Sequence, residues 1–292
     1  MDGLRLVVLL VRFGELALKS RYVRRQLRDR LVANIQEQFA AEGVECITEA
    51  DEARVYVHVD SPEKARILLG RVFGIVSISP AAEVPADLDS LRKAVLSEAL
   101  VALSPGQSFA LRPRRVGTHP FTSQDLAREL GDMIRKGVPG VRVDLTKPDV
   151  AIYIEVRRNR AFVFREIWPG PGGLPMGSQG RALAVVGDEA GMVSAWMAMK
   201  RGCRVFVAAV DSDRFVEPLR KWDVRLKGLD LPTDGNLTEL VRIARAGAVF
   251  LGTRWGDFDP TKKAALGVPT FEPIIGLQND EIRRIADRIR AA

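Results

Sequence analysis

The chain has 292 residues, 47% of them apolar and 28% charged, and a formal charge of +7; this balance belongs to folded domains and excludes a disordered or collagen-like chain. Two cysteines, Cys46 and Cys203, form no C-x-x-C pair, which argues against a disulfide framework or a zinc knuckle and fits a reducing cytoplasm. The apolar start Leu6–Val11, flanked by Arg5 and Arg12, is too short for a signal core or a membrane span, and the excess of basic charge favours a polyanionic partner.

In chain order, a strand is expected at Leu4–Arg12 and a helix from about Ser20 to Glu42, stopped by Gly43 as a residue past the helix end. Strands at Val44–Thr48 and Val55–Val59, a helix opened by Ser61-Pro62, and a strand at Gly74–Ser79 complete a βαββαβ unit, the ferredoxin-like order. Pro80 and Pro85 punctuate a boundary. Beyond it, helices are expected at Asp87–Leu103 and Thr122–Lys136, with extended segments at Phe109–Arg112, Val141–Leu145, Ala151–Val156 and Ala161–Ile167. The run from Trp168 to Gly180 holds too many glycines and prolines for regular structure and reads as a linker. From Ala182 the pattern becomes β-α-β-α: strands at 182–186, 204–210 and 248–252 alternate with helices at 192–201, 216–227, 237–246 and 279–289. Continuous apolar strands of this kind predict a parallel, doubly wound sheet.

Three constellations stand out. Arg21, Arg24, Arg25 and Arg28 recur at i, i+3, i+4 and i+7, which places four guanidiniums on one helix face beside the stripe Val23, Leu27, Leu31. An anion would offset their repulsion; a solvated face paired with Asp29, Glu49 or Asp51 is the equal alternative. Lys19 lies in the charged turn before them. In Phe109–Arg115, followed by Thr118, His119 and Phe121, the cations Arg112, Arg114 and Arg115 sit at a strand end with aromatics nearby, which suits phosphate contacts and stacking on an unpaired base. Arg157, Arg158 and Arg160 mark a hairpin tip, where solvated charge is the default. No metal is expected, because His58 and His119 have no second ligand in local register.

The third constellation is the strand-to-helix turn Gly187-Asp188-Glu189-Ala190-Gly191. Strand, glycine turn and helix N-terminus form the usual cradle for a phosphate, yet two carboxylates are expected in it, and they repel a triphosphate. The turn Gly177-Ser178-Gln179-Gly180 offers backbone N–H groups, and Asp211 and Asp213 follow the next strand at the edge where ligands bind open α/β sheets.

At Arg12-Phe13-Gly14-Glu15 with Leu18-Lys19, Phe109–Arg115, Gly172–Gly177, Met199-Lys200-Arg201-Gly202 and Gly276–Ala286, the chain resembles the 4-thiouridine tRNA sulfurtransferases. It looks most like a short archaeal branch of that family without an active PP-loop. The resemblance implies a ferredoxin-like domain over 1–84, a THUMP RNA-binding domain over 85–168 and a PP-loop-like α/β domain over 169–292. It also gives Arg112, Arg114 and Arg115 a role near the tRNA acceptor end and puts Lys19 and the helix arginines on the backbone. Where the family's nucleotide loop reads Ser-Gly-Gly-x-Asp-Ser, this chain has Val186 to Gly191, with Asp188 for a glycine and Ala190 for the aspartate. The family's sulfur-acceptor cysteine has no counterpart in Ala248–Asp259, and Cys203 sits inside a strand.

The expectation is therefore a cytoplasmic tRNA-binding protein of α/β and α+β multidomain fold, related to 4-thiouridine synthesis, with no catalytic residue, no metal and no cofactor. The alternative is an active sulfurtransferase using ATP and magnesium through another loop geometry or a partner subunit. tRNA is the expected partner, with a homodimer left open and no membrane involved.

Overall fold

A computed structural model describes residues 7–14, 20–209, 213–258 and 266–292. In chain order it runs β1 (Val7–Phe13), α1 (Arg21–Ala41), β2 (Ile47–Ala50), β3 (Val55–Val59), α2 (Pro62–Leu69) and β4 (Ile75–Pro85). Next come α3 (Leu88–Ala102), β5 (Ser108–Val116), α4 (Ser123–Gly137), β6 (Arg142–Val143), β7 (Val150–Arg157), β8 (Arg160–Phe164) and β9 (Trp168–Pro169). The C-terminal part contains β10 (Arg181–Val185), α5 (Glu189–Lys200), β11 (Arg204–Ala209), α6 (Asp213–Arg220) and β12 (Lys227–Asp230). It ends with α7 (Thr238–Ala244), β13 (Val249–Phe250), β14 (Thr270–Phe271) and α8 (Asn279–Arg290).

The βαββαβ order of the first six elements is the ferredoxin-like one. One strand is longer than its sequence suggests: β4 runs through Pro80 to Pro85. Its ladder to β8 begins only at Ala82, so Pro80, which has no N–H, removes no bond from it.

Contacts divide the chain into two units, neither of which is one continuous segment. The first holds the start of β1 up to Leu10, Tyr56–Pro62 and Ser79–Trp168. Its strands follow the order β3-β1-β4-β8-β7-β5-β6, with β5 and β7 parallel and β7 and β8 an antiparallel hairpin. α3 and α4 bury Leu91, Val95, Leu126, Leu130 and Ile134 against Phe109, Ile152 and Ile154 of the sheet. Local chemistry sets both helix starts: the Asp87 carboxylate accepts from Ser90 N–H at 2.8 Å, and Thr122 with Asp125 forms a reciprocal capping box.

The second unit holds Val11–Val55, Glu63–Ile78 and Pro169–Ala292. α1 starts where Ser20 accepts from Val23 N–H and stops before Gly43, whose φ of 61° suits glycine. The C-terminal sheet is parallel throughout in the order β12-β11-β10-β13-β14. Counted within the domain that is 3-2-1-4-5, doubly wound, with the order reversing between β10 and β13. The helix expected to reach residue 227 ends at Arg220 instead. Trp222 and Asp223 turn inward there, both buried, and the chain re-emerges as β12. Such a short strand, exposed along most of its length, has no apolar pattern to announce it.

The core of this unit crosses the ferredoxin-like boundary. Phe73, from the α2–β4 connection, is 1% exposed and stacks on Trp222 with ring centroids 5.1 Å apart, with the edge of Trp196 at 5.4 Å. Met176 of the glycine-rich run joins the same cluster. That run is bonded throughout rather than free: Gly170 N–H donates to Val76 O and Gly172 N–H to Ile75 O, each at 2.8 Å. Leu174 N–H reaches Lys200 O at 3.0 Å, and Asn34 of α1 donates to Met176 O at 3.1 Å. A Cβ at Gly170 would lie 2.2 Å from Ile75 O, and one at Gly173 2.3 Å from Lys200 O; the glycines allow backbone to pass against backbone. No described helix is long and apolar enough to cross a membrane.

Candidate nucleic-acid interface and the strand-to-helix turn

The period of two along β5 separates the arginines that the sequence places together. Arg112 and Arg114 are exposed on one face, while Arg115 points to the other, half-buried, and donates to Gly117 O at 2.9 Å. β6 covers β5 only at Ser108 and Phe109, so the half bearing the arginines is an open edge. Arg112 is tethered to Leu145 O at 2.5 Å; Arg114 makes no hydrogen bond or ion pair with a described residue. Thr118 is exposed just beyond. Phe121 is 6% exposed and packs into the α3–α4 core with the His119 ring 5.6 Å away. It cannot stack on an unpaired base, which corrects that reading; its burial follows from its place one residue before the α4 cap. At the hairpin tip, Arg157 pairs with buried Glu155, and Arg160 pairs with Glu83 and lies over the Tyr56 ring. Arg158 remains exposed.

On α1, Arg21, Arg24, Arg25 and Arg28 line a shallow cavity of 170 Å³ with Glu52. Arg28 reaches Asp29 at 2.7 Å and Asp51 O at 3.4 Å, and Arg25 reaches Asp29 at 3.7 Å. The Asp51 carboxylate instead closes the β2–β3 turn by accepting from Ala53 and Arg54 N–H. Arg21 and Arg24 have no ion pair with a described residue. The paired-face reading thus describes Arg25 and Arg28, and the anion reading is left to Arg21 and Arg24. Lys19 and Asp211 lie outside the described residues.

The turn from β10 into α5 holds one carboxylate in its cradle, not two. Asp188 is the N-cap of α5, and its Oδ1 accepts from Gly191 N–H at 2.8 Å. Arg254 stands 3.6 Å from its other oxygen. Glu189, one residue on, faces away and pairs with Arg290 of α8 at 2.6 Å. A helix rotates about 100° per residue, so neighbouring side chains diverge. Ala190 faces the core. Gly187 is exposed, whereas Gly191 is buried and a Cβ there would meet Val185 O at 2.6 Å. The loop after β13 closes in from above: a Cβ on Gly252 would lie 2.4 Å from Gly191 N. One N–H group of the turn, that of Gly191, is thus bonded to a carboxylate and lies close to the main chain of the loop after β13. Sequence reasoning missed Arg254 and Arg290, whose only signal was basic residues far along the chain. Burial pushes the Cys203 thiol above its ordinary pKa, which keeps it protonated and unreactive at neutral pH.

The N-terminal architecture defines a class. Residues 8–79 match the ThiI ferredoxin-like domain and residues 85–166 the THUMP domain. A probable tRNA sulfurtransferase from Methanothermobacter thermautotrophicus is 36% identical over 216 residues, covering 71% of this chain and 54% of that protein. The crystal structure of PH1313 from Pyrococcus horikoshii is 28% identical, with a TM-score of 0.83 over 97% of this chain and 99% of that one. A 4-thiouridine synthetase, solved in an RNA complex with bound ATP, shares the fold at 21% identity with a TM-score of 0.79, over 97% of this chain and 85% of that one. The chain carries the ThiI ferredoxin-like and THUMP domains and is related in sequence to curated tRNA sulfurtransferases. It spans about half the length of the curated relatives it matches.

Proposed function

We propose that this chain binds tRNA in connection with 4-thiouridine synthesis and that its own strand-to-helix turn no longer activates a nucleotide. The THUMP domain and the unpaired cations Arg114, Arg21 and Arg24 support RNA binding, with Arg112 and Arg28 beside them. The loss of nucleotide activation rests on a single observation, the Asp188 carboxylate on Gly191 N–H. At about 4 Å and an effective dielectric near 20, one carboxylate opposes one phosphate charge by roughly 4 kcal/mol, about three decades of affinity; Arg254 offsets part of it.

Calorimetry with millimolar ATP and magnesium, with and without tRNA, tests the reading. The expected result is no saturable heat from ATP alongside tRNA binding that weakens steeply with salt. Saturable ATP heat in the wild type would refute it, with an Asp188→Gly variant as the control for the repulsion. That outcome would make the chain an ATP-dependent sulfurtransferase, acting alone or with a partner subunit.

A further inference from the structure

A third basic feature lies at the end of the C-terminal parallel sheet opposite the 186–191 turn, where the strands begin. The first residues of three adjacent strands carry cations: Arg181 on β10 is in register with Arg204 on β11, and Lys227 opens β12 beside Phe206. α1 supplies a fourth from its other side. Arg30 follows Arg21 by nine residues, about 180° around the helix, and so faces away from the Arg21–Arg28 cluster. With Arg225, Glu37 and the glycines at 177 and 180, these residues line an open cleft of 440 Å³.

Its charge is unbalanced. Glu37, the one carboxylate in the wall among the described residues, serves Arg204 and Arg225, each at 3.3 Å. Arg204 is further held by buried Asp223 at 2.7 Å. Arg30, Arg181 and Lys227 are exposed and make no ion pair with a described residue. Several arginines elsewhere are neutralised: Arg92, Arg160 and Arg165 each meet a carboxylate. Cations gathered in one cleft with no such partner favour a polyanion. From β10 to β12 the row spans roughly 10 Å, too wide for one phosphate. The aromatic ring in the wall, Phe206, has Lys227 over one face at 5.8 Å. An extended phosphate backbone matches this arrangement better than a mononucleotide.

We propose that this cleft holds the phosphate backbone of RNA, at a place separate from the β5 arginines. The proposal rests on the tRNA-binding reading, and the test keeps the two apart. The triple variant Arg30→Ala, Arg181→Ala, Lys227→Ala removes exposed charge only and should melt as the wild type does. Each lost phosphate contact lowers the log–log salt slope by about 0.9, so affinity between 50 and 200 mM salt should change about 40-fold less than in the wild type. In the wild type, tRNA should protect Lys227 from acetylation, read by mass spectrometry. An unchanged slope together with unprotected Lys227 overturns the proposal; if the Arg112→Ala, Arg114→Ala variant meanwhile loses tRNA, the functional reading stands alone. If the wild type binds no tRNA but inorganic tripolyphosphate protects Lys227, the functional reading falls and the RNA assignment of the cleft is replaced by a small polyphosphate.

Discussion

Phe73→Ala should be strongly destabilising. The ring is 1% exposed and lies between Trp222 and Trp196, with centroids 5.1 and 5.4 Å away. Removing a buried phenylalanine side chain costs about 3–5 kcal/mol, transfer and cavity terms together. The aromatic contacts, each worth about 0.5–1.5 kcal/mol beyond area, push the value to the upper end of that range. The two tryptophans meet at 5.3 Å with perpendicular rings, and Trp222 is held by its Nε1–H donating to Ile289 O at 3.2 Å, so the void is not easily closed. Urea unfolding followed by tryptophan fluorescence measures the loss directly and also registers the changed surroundings of Trp196 and Trp222. At about 2–4 °C per kcal/mol, the melting point should fall by roughly 10–20 °C. Phe73→Leu, which fills most of the volume but loses both ring contacts, should cost less than Phe73→Ala. A loss below about 1.5 kcal/mol for Phe73→Ala, with unaltered emission, would refute the view that this residue ties the α2–β4 connection to the C-terminal core.

The split of the β5 arginines predicts unequal effects on tRNA: Arg114→Ala should weaken binding by about 1–3 kcal/mol, while Arg115→Ala, whose guanidinium already serves Gly117 O, should stay within about 0.5 kcal/mol, both read by filter binding at fixed salt. Asp149 supplies a pH dependence. Backbone and side-chain hydrogen bonds from Ser108 hold its pKa below the ordinary aspartate value, so it stabilises the fold at neutral pH, and that contribution fades as pH falls below about 4 through the depressed folded value. Asp149→Asn should flatten this part of the acid limb in stability measured between about pH 5 and 2; an identical limb would contradict the assignment.

Much of the fold was legible because its signals are local. Ser20 and Gly43 bracket α1, Thr122 caps α4, and α8 starts at Asn279 as its pattern requires. β12 was not legible: a four-residue strand at the sheet edge, exposed over most of its length, has neither alternation nor an apolar run. Faces were harder than elements. Arg112, Arg114 and Arg115 read as one cluster until the pleat divides them, and Phe121 looks available until the α3–α4 core claims it. The cleft around Arg181 and Lys227 left no sequence signature, since its cations come from four separate elements and only the parallel register aligns them. At the turn after β10 the residue types were informative, but not that Glu189 would leave for Arg290.

The bonded glycine-rich run changes what it would mean to shorten this protein. A gene that kept only the residues up to Trp168 would discard both tryptophans around Phe73 and every acceptor and donor that the run shares with residues 75, 76, 200 and 202. The remnant would carry a naked phenylalanine and unpaired main chain on its surface, an invitation to aggregate. The C-terminal domain is therefore indispensable as the other half of a shared interior, whatever its chemistry. Selection against misfolding would then hold its sequence in place independently of any selection for catalysis.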